Sequence, residues 1–126
     1  MTREIRIFPM DTHVEIVATG NVVDVRMMRS LLDLVAAAAR AYSSVNVLLE
    51  VIAPKRETGI SELIDIWKYA ADKGLRRIRL AHVITGRPLI EGDVSFKDAF
   101  AKNRGLNIKT FAAKDDALEW LKRQGN

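Results

Sequence analysis

The sequence predicts one α/β domain built on a mixed, mostly parallel sheet, with elements in the order β-β-α-β-α-β-α-β-α. Three observations carry that expectation. Two short alternating apolar runs, 3–8 and 14–18, flank a turn, as two antiparallel strands do. After them, helix-period segments alternate with β-branched apolar runs, the pattern of strand–helix–strand units with right-handed crossovers. Finally, a chain of 126 residues fits a single core rather than two.

The first strand places Ile5 and Ile7 on one side with Arg6 between them. Pro9-Met10-Asp11-Thr12 reads as a turn, and Val14, Ile16 and Ala18 alternate as the second strand. Thr19-Gly20-Asn21 closes that unit, and Asp24 is placed to cap the helix that follows. From Val25 to about Tyr42 the period is helical, with Val25, Met28, Leu32, Val35 and Ala39 in one stripe and Leu31, Leu34 and Ala38 in the next. Together they span roughly 200°, wider than the ~100° stripe of an ordinary surface helix. That breadth has two accounts: cover by neighbouring elements of the same chain, or a homodimer or partner surface through this first helix.

The run Val45–Ile52 is almost continuously apolar, as a central strand covered on both faces would be. A polar loop, Ala53 to Gly59, leads into a second helix over Ile60–Lys73, with Ile60, Leu63, Ile64, Trp67 and Ala71 inward and Gly74 as its stop. Arg77–Ile84 is the next strand, carrying Ile78, Leu80, His82 and Ile84 on one face, and Thr85-Gly86-Arg87-Pro88 breaks it. Ser95 followed by Asp98 has the spacing of a capping box, which opens a short helix with Phe96, Ala99 and Phe100 inward and Gly105 at its end. Leu106–Phe111 is the last strand. The closing helix has Asp115 and Asp116 in its first turn and Lys122 and Arg123 in its last, matching the helix dipole.

Composition excludes several chemistries. With no cysteine there are no disulfides, no thiolate nucleophile and no zinc–thiolate site, which suits a cytoplasmic setting. The opening residues are polar and lead directly into a strand, so no signal peptide is expected, and no apolar stretch approaches the ~20 residues of a membrane span. The net charge is +4, but the basic residues are interleaved with 16 acidic ones, and the densest cluster is Arg76, Arg77 and Arg79. Nucleic acid is therefore not the expected partner. The two histidines have no ligand-spaced cysteine or carboxylate pair, so neither metal nor cofactor is expected. His82 reads as a core histidine and His13 as an exposed one. No nucleophile elbow, phosphate loop or dinucleotide fingerprint occurs, and no catalytic residue is assigned.

In open α/β sheets ligands gather beyond the carboxyl ends of parallel strands. Here that rim is built from Lys55, Arg56, Thr58 and Gly59 together with Thr85, Gly86 and Arg87. Lys55, Arg56, Gly59 and Arg87 are its anion- or partner-binding candidates, beside a helix whose free N–H groups favour an anion. Thr58 and Ser61, in or beside the first helical turn, are either caps or phosphoacceptors.

The order of elements, Thr19-Gly20 after the second strand, Glu57-Thr58-Gly59 before the second helix, and Ile108-Lys109-Thr110-Phe111 leading to Asp116-Ala117-Leu118-Glu119-Trp120-Leu121 together resemble the STAS domain, in its SpoIIAA-like branch. That family's anti-sigma-factor antagonists carry Asp-Ser-Ser-Gly where this chain has Glu57-Thr58-Gly59. By position the resemblance makes Thr58 the phosphoacceptor, although the aspartate is replaced by Arg56 or Glu57 and Lys55 and Arg56 are additions. It implies a non-enzymatic regulatory module that binds a protein partner, such as a regulatory kinase-like protein, and is gated by phosphorylation. The alternative is a binder of a small anionic or amphipathic ligand, held between the basic rim and the broad first helix.

Overall fold

A computed structural model describes residues 4–20, 22–53, 55–56, 60–86, 88–89 and 91–124. Its strands are β1 (Glu4–Pro9), β2 (Val14–Thr19), β3 (Val22–Val23), β4 (Asn46–Ile52), β5 (Lys55–Arg56), β6 (Arg79–Thr85) and β7 (Asn107–Phe111). Its helices are α1 (Val25–Ala41), α2 (Ile60–Asp72), α3 (Glu91–Asn103) and α4 (Lys114–Gln124), with a single 3-10 turn at Leu75–Arg77.

The main sheet has the order β1-β2-β4-β6-β7, so its strands lie side by side in the order in which they occur in the chain. β1 and β2 are antiparallel, and β2, β4, β6 and β7 are parallel. Each crossover advances in one direction, and a right-handed connection then puts its helix on the same face every time. The core bears this out. Val14, Ile16, Ala18, Val47, Leu49, Val51, Leu80 and Ile108 share one buried cluster with residues of α1, α2 and α3. On the opposite face, Leu48, Ala81 and Val83 pack against Ala117, Trp120 and Leu121 of α4. Three helices thus cover one face and a single helix the other.

Asp24 caps α1 as expected, its Oδ1 accepting from the Met27 N–H at 2.8 Å. The breadth of the α1 apolar arc is used within the chain, where Leu31, Leu32 and Val35 are fully buried between sheet and α2. The Tyr69 hydroxyl on α2 donates to Asp33 on α1 at 2.6 Å, tying the two helices along their outer seam. No helix among the described residues is long and apolar enough to cross a membrane.

Several local expectations need correction. α3 begins at Glu91, so Ser95 lies inside the helix, and Asp98 does not close a capping box. Asp98 instead accepts from the Thr110 N–H (3.2 Å) and the Thr110 hydroxyl (2.9 Å) on β7. The longer helix also has a different phase: Lys97 and Ala101 are buried, whereas Phe96 is 41% exposed. The segment 75–77 is a 3-10 turn rather than the start of a strand, and β6 is buried on both faces. Finally, β3 and β5 pair in parallel as a second, two-residue-long sheet, where sequence alone suggested only loops.

Candidate functional site

The parallel strands β2, β4 and β6 end together, at Thr19, Ile52 and Thr85, and their carboxyl ends form the rim. The ladder runs one residue past the strands, with Gly20 N–H donating to Ile52 O (3.0 Å) and Ala53 N–H to Thr85 O (3.1 Å). Thr85 then turns its hydroxyl back to Glu50 Oε2 at 2.9 Å. Gly86 completes the edge at φ +95°, and a Cβ there would stand 3.3 Å from the Ala53 carbonyl oxygen. Glycine therefore satisfies two demands at once, a left-handed backbone and a close approach.

Of the residues the sequence places at this rim, Lys55 and Arg56 form β5 and run beside Val22–Val23. They belong to a paired extended segment rather than to a free loop. Ser61 is exposed in the first turn of α2. Thr58, Gly59 and Arg87 lie outside the described residues.

Midway along β6, on its α2–α3 face, the structure brings together three side chains that sequence reading did not join. Trp67 (1% exposed), His82 and Lys97 are all buried between the sheet and the α2–α3 layer. Lys97 Nζ lies 3.1 Å from His82 Nδ1 and 5.7 Å from the centre of the Trp67 ring. While Lys97 carries its proton, Nδ1 accepts, and the ring's own proton sits on Nε2. The Trp67 indole N–H finds no acceptor among the described residues. His82 was legible as a core histidine from the alternation of β6. Lys97 was not, because a lysine inside an amphipathic repeat reads as its solvent side.

A second polar cluster lies at the opposite end of the sheet, on the α4 face. His13, expected to be exposed, is instead partly buried: its Nε2 meets Glu15 Oε2 at 2.9 Å, and Lys114 Nζ meets Glu15 Oε1 at 2.7 Å. Burial pushes the Glu15 carboxyl up, but hydrogen bonds from Lys114 and His13 outweigh it and hold the group below its ordinary range. The same hydrogen bond to Glu15 raises Lys114. A cleft of about 560 Å³ opens here between the β1–β2 turn and α4, with Met10, Leu118 and Leu121 as apolar wall. Its buried carboxylate is already spent on partners within the chain. Two arginines of the basic cluster are similarly engaged, since Arg79 binds the end of α4 and Arg76 Nε donates to Arg104 O at 3.1 Å.

No family model matches the chain. No curated protein matches it either. Among solved structures it is similar to an uncharacterised DUF3478-family protein with a SpoIIAA-like fold from Shewanella loihica PV-4, whose crystal structure was determined at 2.25 Å. The two share 14% identity, with a TM-score of 0.55 over 94% of this chain and 93% of the other. A five-stranded mixed sheet with this helix arrangement is thus the SpoIIAA-like α/β fold, and the expected fold class stands.

Proposed function

We propose that this chain is a non-catalytic, STAS-like regulatory module that docks a protein partner on the carboxyl-end rim and the first turns of α2, with Ser61 or Thr58 as the gating position. The observation that carries this reading is the exposed Ser61 hydroxyl on the first turn of the helix that begins at the rim. A phosphate there adds about two negative charges beside free backbone N–H groups, so the helix tolerates it while the docking surface changes sign. The sequence places two basic residues, Lys55 and Arg56, in the short strand before that helix, and a cysteine-free composition suits a cytoplasmic setting.

Partner capture from lysate of the source cells tests this. Charge reversal at Lys55 and Arg56, and Ser61→Glu or Thr58→Glu, should each alter what a tagged chain retains, while Arg123→Glu on α4 should not. Equal capture by all variants would overturn the reading.

A second reading, a small anionic ligand held between the sheet and the α2–α3 layer, is favoured by Lys97, His82 and the indole N–H of Trp67 gathered there midway along β6. It predicts a mass retained in native and lost in denaturing mass spectrometry, and absent from the Lys97→Met variant.

A further inference from the structure

The two edges of the main sheet are finished differently. At the β7 edge the outward N–H of Thr110 is taken by Asp98 of α3, and Lys109 stands exposed on the strand. Both features discourage another strand from adding there. β1 has neither. Among the described residues its only neighbour in the sheet is β2, all six of its residues are exposed, and it carries no lysine and no bulge.

Which β1 groups face outward follows from the hairpin. Met10 N–H donates to His13 O at 2.9 Å, so Met10 and His13 are a hydrogen-bonded pair. Bonded and non-bonded pairs alternate in an antiparallel ladder, so Phe8, Arg6 and Glu4 also turn their backbone groups toward β2. Ile5 and Ile7 therefore present their N–H and C=O groups outward, whereas Pro9 has no N–H to offer. The free edge is its Glu4–Ile7 end. Ile5 and Ile7 lie on the α1 side of the sheet, 38% and 37% exposed, beyond the cover of α1.

We propose that β1 is the edge through which two copies of this chain pair, antiparallel about a two-fold axis at Ile5, to give one sheet running through both. The charge pattern selects this occupant and this register. With Ile5 opposite Ile5 of the second copy, Glu4 stands opposite the second copy's Arg6, and Arg6 opposite its Glu4. These are non-hydrogen-bonded positions, where side chains come closest. A slip by one pairing step would set Arg6 against Arg6. Within one copy Arg6 and Glu4 already meet at 2.6 Å, so the dimer joins two such pairs into an alternating square of charges. On the other face Ile5 and Ile7 of both copies form one apolar cluster. The rim stays free, so this pairing is independent of the docking proposed above.

Sedimentation velocity over a wide concentration range tests it. The unaltered chain should run as a dimer. Glu4→Arg turns two attractive pairs into repulsive ones and should weaken dimerisation about tenfold or more, and adding Arg6→Glu should restore it. Ile5→Pro should abolish the dimer while leaving the far-UV circular dichroism and melting temperature close to those of the parent, because the lost N–H takes no part in the β1–β2 ladder. A monomer at every concentration would overturn the proposal, as would a dimer indifferent to Glu4→Arg or one that the double swap fails to restore.

Discussion

Arg79 leaves β6 on the α4 face and reaches three acceptors: Asn46 Oδ1 at 3.0 Å, Leu121 O at 3.0 Å and Trp120 O at 3.1 Å. Its guanidinium also lies 4.5 Å from the centre of the Trp120 ring. Burial lowers the pKa of this arginine, yet the group remains a cation and sits where a helix dipole favours one. Arg79→Ala strands two carbonyls of the last turn of α4 and should cost about 2–3 kcal/mol in urea unfolding. Arg79→Lys should recover only part of that, because an ammonium cannot span the same acceptors. The Glu15–Lys114 pair makes a prediction in pH. Glu15 is held low in the folded state, so its contribution is complete above the ordinary carboxylate range and fades as pH falls through the folded value. Lys114 is held high, so its contribution is complete below the ordinary lysine range and is lost as pH rises through the folded value. Glu15→Gln should flatten the acid limb of the stability profile, measured by denaturant midpoint against pH.

Among the elements, the junctions carry the sharpest expectations. Gly74 closes α2 at φ +80° with open space where a Cβ would stand, whereas Gly86 combines φ +95° with the nearby Ala53 carbonyl. Gly74→Ala should cost about 1 kcal/mol in backbone strain alone, and Gly86→Ala clearly more, because the rim must also shift. Equal losses in thermal melts would mean that the Ala53 contact does not matter. The same junctions show what was legible beforehand. α1 announced itself through Asp24 and an unbroken apolar repeat, and β4 through its β-branched run. α3 did not, because its amphipathic signal is weak and its buried face includes a lysine, so the Ser95–Asp98 spacing looked like a start. β3 and β5 are too short for any period to register, and β5 lies in the stretch that supplies most of the candidate docking residues. The candidate rim was therefore legible as a place in the fold, the carboxyl ends of the parallel strands, but the contacts around it were not. His82 and Lys97 meet because α3 turns its Lys97–Ala101 face inward rather than the Phe96 face that the sequence suggested.

For the molecule as a whole, both apolar layers share the central strands β4 and β6, so neither layer can open without disturbing the other. Trp67 reports on the three-helix side and Trp120 on the α4 side. In Trp67→Phe and in Trp120→Phe, the fluorescence of the remaining tryptophan should share its midpoint with the far-UV signal of the same variant. Different midpoints within either variant would mean that the two layers melt separately. The spatial order of the strands has another consequence, for a chain still being made. Because β1, β2, β4, β6 and β7 lie side by side in order of synthesis, the sheet can grow at one edge by accretion as residues emerge. No strand has to be slipped between two that are already in place. Asp98 is made 12 residues before Thr110, the group it binds, so the stopper for the growing edge is on hand when the last strand arrives.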